Sequence, residues 1–254
     1  LSAALLGTID QNRVHLIDSY PRAAPMNFIF RGNNPTTEVN GSRTMDYAGL
    51  VKAVKIAATK ECGVTLPESF RVVDVDLENL SDPGYLQELK YWKDHPNQGE
   101  SLNWMQLGTL LDVKVTPFPN LWVKNGSWAI LGHADHLPER LATLNAMLKN
   151  TTTGPPTVFY VHCNAGCDRT GEFIGAYAMS YLGYNITTAM GEAQRQCGRT
   201  PNFFATESLG WWCLTLKQQG RTDVGDCMNA FGCTYLKDCD PHNPTPLDDP
   251  CPRA

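Results

Sequence analysis

The sequence predicts an α/β fold, a central mainly parallel sheet flanked by helices, followed by a disulfide-rich C-terminal tail. Three observations predict it. Apolar runs rich in β-branched and aromatic residues alternate along the chain with stretches whose apolar residues recur at helical spacing. Two of those runs, FRVVDVDL and TVFYVHC, are nearly continuous, as strands covered on both faces must be. Beyond Gly220 the character changes to four cysteines and DPHNPTPLDDPCPRA, too rich in proline and aspartate to extend a core.

Taken in order, NFIFRG (Asn27 to Gly32) reads as a short strand, and MDYAGLVKAVKIAATK (Met45 to Lys60) spaces Leu50, Val54 and Ala57 on one helix face. FRVVDVDL (Phe70 to Leu77) is a buried strand, and DPGYLQELKYWKDH (Asp82 to His95) a helix opened by Asp-Pro. VKVTPF (Val113 to Phe118) is another strand. LWVKNGSWAI (Leu121 to Ile130) sets Asn-Gly between alternating residues, the signal of a hairpin. HLPERLATLNAML (His136 to Leu148) is helical, and TVFYVHC (Thr157 to Cys163) is the central strand. GEFIGAYAMSYLG, ITTAMGEAQRQ and TESLGWWCLTLKQ make three further helices. The organisation is therefore one domain over residues 1–220 and a disulfide-held tail over 221–254.

Composition narrows the function classes. A net charge of −5 with no block of lysine or arginine excludes a surface built for nucleic acid or anionic lipid. The longest apolar runs fall far short of a bilayer, so no integral membrane segment is expected. Nine cysteines are many for a reducing compartment, and the odd count implies one free thiol beside as many as four disulfides. Sequons at Asn40, Asn79, Asn125, Asn150 and Asn185 would be acceptors on a secretory route. A secreted or lumenal location is the expectation; no intact signal peptide is visible, and LSAALLG reads as a remnant of one or as a first ordered turn.

The chemistry concentrates in VHCNAGCDRTGE, Val161 to Glu172. A strand, a tight glycine-containing loop and a helix N-terminus follow one another, and such a loop aims backbone N–H groups and a helix dipole at one point. That point suits a phosphate or a thiolate. A free cysteine ionises near pH 8.5, and a helix N-terminus with a neighbouring cation lowers this to roughly 3.5 to 7.5, which would make Cys163 a nucleophile. Arg169 supplies the planar fork that grips two phosphoryl oxygens, Gly166 permits the turn, and Thr170 is placed to hydrogen-bond a thiolate. Cys167 has three readings: a partner for the Cys163 thiol, a structural cysteine, or loop filler.

HCNAGCDRTG resembles the Cys-x5-Arg signature of the cysteine-based protein tyrosine phosphatase superfamily, in its dual-specificity-like branch. The resemblance extends weakly over residues 25–219, where FRGNNP is similar to the arginine-containing entry segment of compact members; it does not cover the tail. It implies a dual-specificity-like fold and an attack by Cys163 that forms a phosphocysteine, which water hydrolyses without metal or cofactor. Asn164, Ala165, Gly166, Cys167, Asp168 and Arg169 would hold the phosphate, with His162 a supporting hydrogen-bonder beneath the loop. The family's general acid is an aspartate upstream of the cysteine, and Asp135 in ADHLPER matches that form; an N-cap for the helix at His136 is its alternative role.

Two departures shape the expectation. Asp168 stands where many members have glycine. It resembles the loop of myotubularins and of bacterial lipid and tyrosine phosphatases with Lys-Asp-Arg-Thr-Gly, so Asp168 is the second candidate acid. Asn164 and Cys167 occupy places where phosphoinositide phosphatases carry lysines, which favours a phosphoprotein or another phosphomonoester over a polyanionic headgroup. Phosphoinositides, inositol phosphates and sugar phosphates stay open as substrates, and a catalytically silent phosphate-binding module is the reading from another class. A rhodanese-like sulfurtransferase fits less well, because its loop is shorter.

Other patterns are weaker. Arg195 and Arg199 in QRQCGRTPN read as solvated arginines or as substrate contacts. The Asp-x-Asp in VVDVDLEN only faintly resembles the haloacid dehalogenase nucleophile motif, since Glu78 stands where threonine or valine is required. No P-loop, HExxH or GxSxG occurs. The spacing of Cys227, Cys233, Cys239 and Cys251 with His242 fits no common zinc site.

Overall fold

The computed structural model describes residues 9–21, 24, 26–106, 136–152 and 154–227. The strand expected at 113–118, the hairpin at 121–130, Asp135 and the tail beyond Cys227 lie outside them. The described chain is α/β, with a mixed, mostly parallel central sheet. It divides into two compact units: residues up to Met105 with Ala146–Gly166 form one, and Gln106, 136–145 and 167–227 the other.

The first unit holds the sheet. Its strands are β1 (His15–Tyr20), β2 (Asn27–Asn33), β5 (Arg71–Asp76), β6 (Gly99–Asn103) and β7 (Thr157–Cys163), in the order β1-β2-β7-β5-β6. β1 runs antiparallel to β2 at one edge; every other pairing is parallel. β7 is central as its apolar run predicts, with Asn33 opposite Cys163 on one side and Asp76 opposite His162 on the other. The parallel crossovers bring the C-terminal ends of β2, β5 and β7 together, and this is where polar residues from three strands meet.

One face of the sheet is covered by α1 (Tyr47–Cys62). Leu50, Ala53, Val54, Ala57 and Ala58 repeat at three and four residues and pack with Phe28, Phe30, Val72, Val158 and Tyr160. The residues pointing the other way, Ile29, Val73, Phe159 and Val161, are buried as well, which explains why β5 and β7 do not alternate. α1 begins two residues later than its apolar pattern suggests. Met45 belongs instead to β4 (Ser42–Met45), and Asp46 caps the helix by accepting from the Gly49 amide.

The partner of β4, β3 (Thr36–Val39), was hidden because its strands are short and polar, yet Asn40-Gly41 takes φ of 53° and 76°, the two-residue hairpin turn. α2 (Tyr85–Asp94) starts three residues after Asp82, whose carboxylate accepts from the Asn79 amide and closes a turn first. α3 (Leu137–Lys149) buries Leu137, Leu141, Leu144 and Leu148 in one stripe. Asn27 Nδ2 donates to the carbonyls of Leu148 and Asn150 at 3.0 Å and satisfies its C-terminal end.

In the second unit α4 (Asp168–Tyr181) packs against both α5 (Ile186–Cys197) and α6 (Phe203–Gln218). Asn185 and Asn202 cap α5 and α6 through the amides of Thr188 and Ala205. A buried Glu172 accepts from Gln106 Nε2 at 2.7 Å and Ser208 Oγ at 2.6 Å, tying α4 to α6. The start of the expected tail is integrated here: Cys227 is bonded to Cys213 of α6, Val224 is buried, and its carbonyl accepts from the Ile186 amide. Among the described residues no helix is long and apolar enough to cross a membrane.

Candidate active site

β7 ends at Cys163, which is buried and carries a free thiol. The other described cysteines, Cys62, Cys167, Cys197, Cys213 and Cys227, are all in disulfides. Beyond Cys163 three successive carbonyls are engaged by donors distant in sequence. Asn164 accepts from the Asn34 amide at 3.2 Å, Ala165 from Arg13 Nη1 at 2.6 Å, and Gly166 from Arg31 Nη2. The Gly166 amide closes the turn on the Cys163 carbonyl at 3.2 Å. Gly166 has φ of 68°, and a Cβ there would lie 2.3 Å from the Gly32 carbonyl oxygen, so neither the conformation nor the space admits a side chain.

Directly before the cysteine, His162 is fully buried among acids. Its Nε2 lies 2.8 Å from Asp74 Oδ1 and 3.1 Å from Glu88 Oε2. Burial opposes charge on the imidazole, but Asp74 and Glu88 together outweigh it and push the His162 pKa well above the usual range. Burial likewise pushes Glu88 far up, against the pull of His162. It pushes Glu78 up to about 7, with His162 and Asn34 countering and Asp76 and Asp82 reinforcing. Asp74 and Asp76, the Asp-x-Asp pair, are fully buried support for this layer, which leaves the faint dehalogenase resemblance without an accessible nucleophile.

The chain enters the second unit at the Gly166–Cys167 peptide bond. Cys167 is joined to Cys197 at the end of α5, so of its three readings the structural one holds. Asp168 accepts from Arg199 Nη1 at 2.9 Å, Arg199 Nη2 at 2.7 Å and the Asn202 amide at 2.7 Å. Burial would raise its pKa, but Arg199, the Asn202 amide and Arg169 outweigh it, and the carboxyl is held below its ordinary value. Arg199 is thereby a clamp on the segment before α6, and Arg195 is paired with Glu192 at 2.6 Å. Arg169 is half-buried in the first turn of α4. Thr170 is fully buried, and its hydroxyl makes no hydrogen bond among the described residues.

Comparison with known proteins finds no matching family model and no matching curated relative. The structure thus brings Cys163, Asn164, Ala165, Gly166 and His162 into one unit and Cys167, Asp168, Arg169 and Thr170 into the next, while Asp135 lies outside the described residues. Sequence reasoning missed Arg13, Asn34 and Glu88, and it met Asp74 only within the Asp-x-Asp pattern, not as a neighbour of His162. Arg31 carried one usable signal, an arginine inside an apolar strand, which must find buried acceptors.

Proposed function

We propose that the chain is a cysteine-dependent phosphatase that hydrolyses phosphomonoesters through a phosphocysteine, on the dual-specificity-like tyrosine phosphatase fold that its signature resembles. The observation that carries this reading is the free thiol of Cys163 at the end of the central strand, in a chain whose other described cysteines are oxidised. An anion cradle must also turn its carbonyl oxygens away from the ligand, and three successive ones, 164 to 166, are turned to scaffold donors.

In the proposed reaction the Cys163 thiolate attacks phosphorus as the bond to the leaving oxygen breaks. Arg169 and the loop amides of 164–169 carry the equatorial oxygens, and Thr170 stabilises the thiolate. Asp135 gives its proton to the leaving oxygen, and water then cleaves the S–P bond. We assign the acid to Asp135 because Asp168 is clamped by Arg199 and favoured as an anion, the wrong state for a proton donor. The substrate is a phosphoprotein or a related phosphomonoester rather than a polyphosphorylated headgroup. The loop brings no lysine, and Cys167 is committed to a disulfide. Two disulfides among the described residues, Cys167–Cys197 and Cys213–Cys227, support the reading that the protein works in an oxidising compartment, secreted or lumenal.

The test is hydrolysis of an aryl phosphate with no metal added to the assay. Cys163→Ser is expected to lose about 10³-fold or more; a variant retaining most of the turnover would show that another group is the nucleophile. Asp135→Asn is expected to lose about 10² to 10⁴ on an alkyl phosphate and far less on an activated aryl phosphate, whose leaving group needs no proton. The same selectivity at Asp168→Asn instead would transfer the acid role to Asp168.

A further inference from the structure

We propose that Asp74 of β5, Glu88 of α2 and His162 of β7 form a buried binding site for one divalent transition-metal cation of the zinc class, which ties three elements of the first unit together. The inference is independent of the phosphatase reading and uses none of its residues beyond the supporting His162.

The geometry points there in three ways. Asp74, Glu88 and His162 each offer one ligand atom within 4.8 Å of the other two, and none of the three residues has exposed surface. His162 Nε2 lies within ion-pair distance of Asp74 Oδ1 and Glu88 Oε2, but among the described residues none of these three atoms makes a hydrogen bond of acceptable angle, nor does His162 Nδ1. A single proton on Nε2 can point to one carboxylate oxygen, which leaves the other buried and unsatisfied.

The second point is how the carboxylates are held. Asp74 accepts from Trp92 Nε1 at 2.6 Å through Oδ2, and Glu88 accepts from Asn34 Nδ2 at 2.6 Å through Oε1. Each is oriented by one oxygen and presents the other to the shared point, as metal-binding carboxylates are oriented by surrounding donors. Asn34 Nδ2 also lies 2.9 and 3.0 Å from the Glu78 oxygens, so it has no spare N–H for the unsatisfied atoms.

Spacing and charge complete the case. Ligand atoms bonded to one small cation at about 2.0 to 2.2 Å lie about 2.8 to 3.6 Å apart in octahedral or tetrahedral arrangement. The separations of His162 Nε2 from Asp74 Oδ1 and Glu88 Oε2, 2.8 and 3.1 Å, fall in that interval. Two carboxylates and a neutral imidazole carry two negative charges, which a divalent ion balances. An imidazole ligand beside carboxylates favours zinc, manganese or iron over magnesium and calcium. Because the site is closed to solvent, the ion is structural and enters as the chain folds.

The experiment is elemental analysis of the full chain, purified without chelator, together with thermal melting after refolding with disulfides intact, with and without Zn²⁺. About one metal ion per chain, or a Zn²⁺-dependent rise in Tm of wild type, supports the site when Asp74→Asn and Glu88→Gln abolish it. Should those variants not fold, the metal K-edge absorption of wild type decides: nitrogen and oxygen ligands support the site, sulfur ligands overturn it. Metal retained in folded variants overturns it, because the ion then sits elsewhere. A metal-free protein with no Zn²⁺-dependent shift overturns it too, leaving a protonated triad only.

Discussion

At the residue scale, Gly166 and Asp168 make the sharpest claims. Gly166 is held at φ 68° with its α-carbon against the Gly32 carbonyl. An alanine there carries about 1 to 2 kcal/mol of left-handed strain before any clash. Gly166→Ala is therefore expected to lower Tm and to reduce phosphate release about 100-fold by displacing the loop; unchanged kinetics would mean that the turn is not part of the reacting site. Asp168 contributes through charge. Its folded pKa lies below the unfolded value of about 3.9, so the stabilisation is present above that pH and is lost as pH falls through the lower folded value. Denaturation of wild type and Asp168→Asn should differ at about pH 6, and the difference should shrink as pH falls below the unfolded value and through the lower folded one. A gap that stays constant across that window would mean that the Arg199 clamp is not electrostatic.

At the scale of elements, α3 shows what a helix face is worth. Leu144 is fully buried in the stripe of Leu137, Leu141 and Leu148. Leu144→Ala is expected to cost about 2 to 5 kcal/mol in denaturant unfolding, whereas Thr143→Ala on the exposed face should stay within about 0.5 kcal/mol. Comparable losses at both positions would show that the helix is not held by that stripe. The same contrast explains which elements the sequence discloses. β7 and α5 were readable to within a residue because an uninterrupted apolar run and a capped periodic pattern are local properties. β3, β4 and β6 were not, because short polar strands such as GESLN carry no apolar signal and exist only where a partner strand supplies hydrogen bonds. The starts of α1 and α2 moved for a related reason: the Asp46 cap and the Asp82 turn claim the backbone that periodicity assigned to helix.

At the scale of the whole molecule, the partition of cysteines is the feature that joins fold to chemistry. Alkylation of the unreduced protein under denaturing conditions should modify one cysteine, and peptide mapping should find it at Cys163, with Cys167 linked to Cys197 and Cys213 to Cys227. Label at several tail cysteines would argue against an oxidising compartment. By itself the sequence determined the α/β alternation, the placing of Cys163 at the mouth of the most apolar strand, and a glycine loop leading into a helix. Each is written in neighbouring residues, through side-chain periodicity and backbone preference. Tertiary structure alone decided which groups brace that loop, since Arg13 and Arg31 reach it across sequence separations of 152 and 135 residues. It alone decided that Cys167 pairs with Cys197, that Arg199 neutralises Asp168, and that Asp74 and Glu88 close around His162. The physical reason is that a buried charge or thiol takes the partner which chain topology sets beside it, and strand order, not sequence distance, fixes who that partner is.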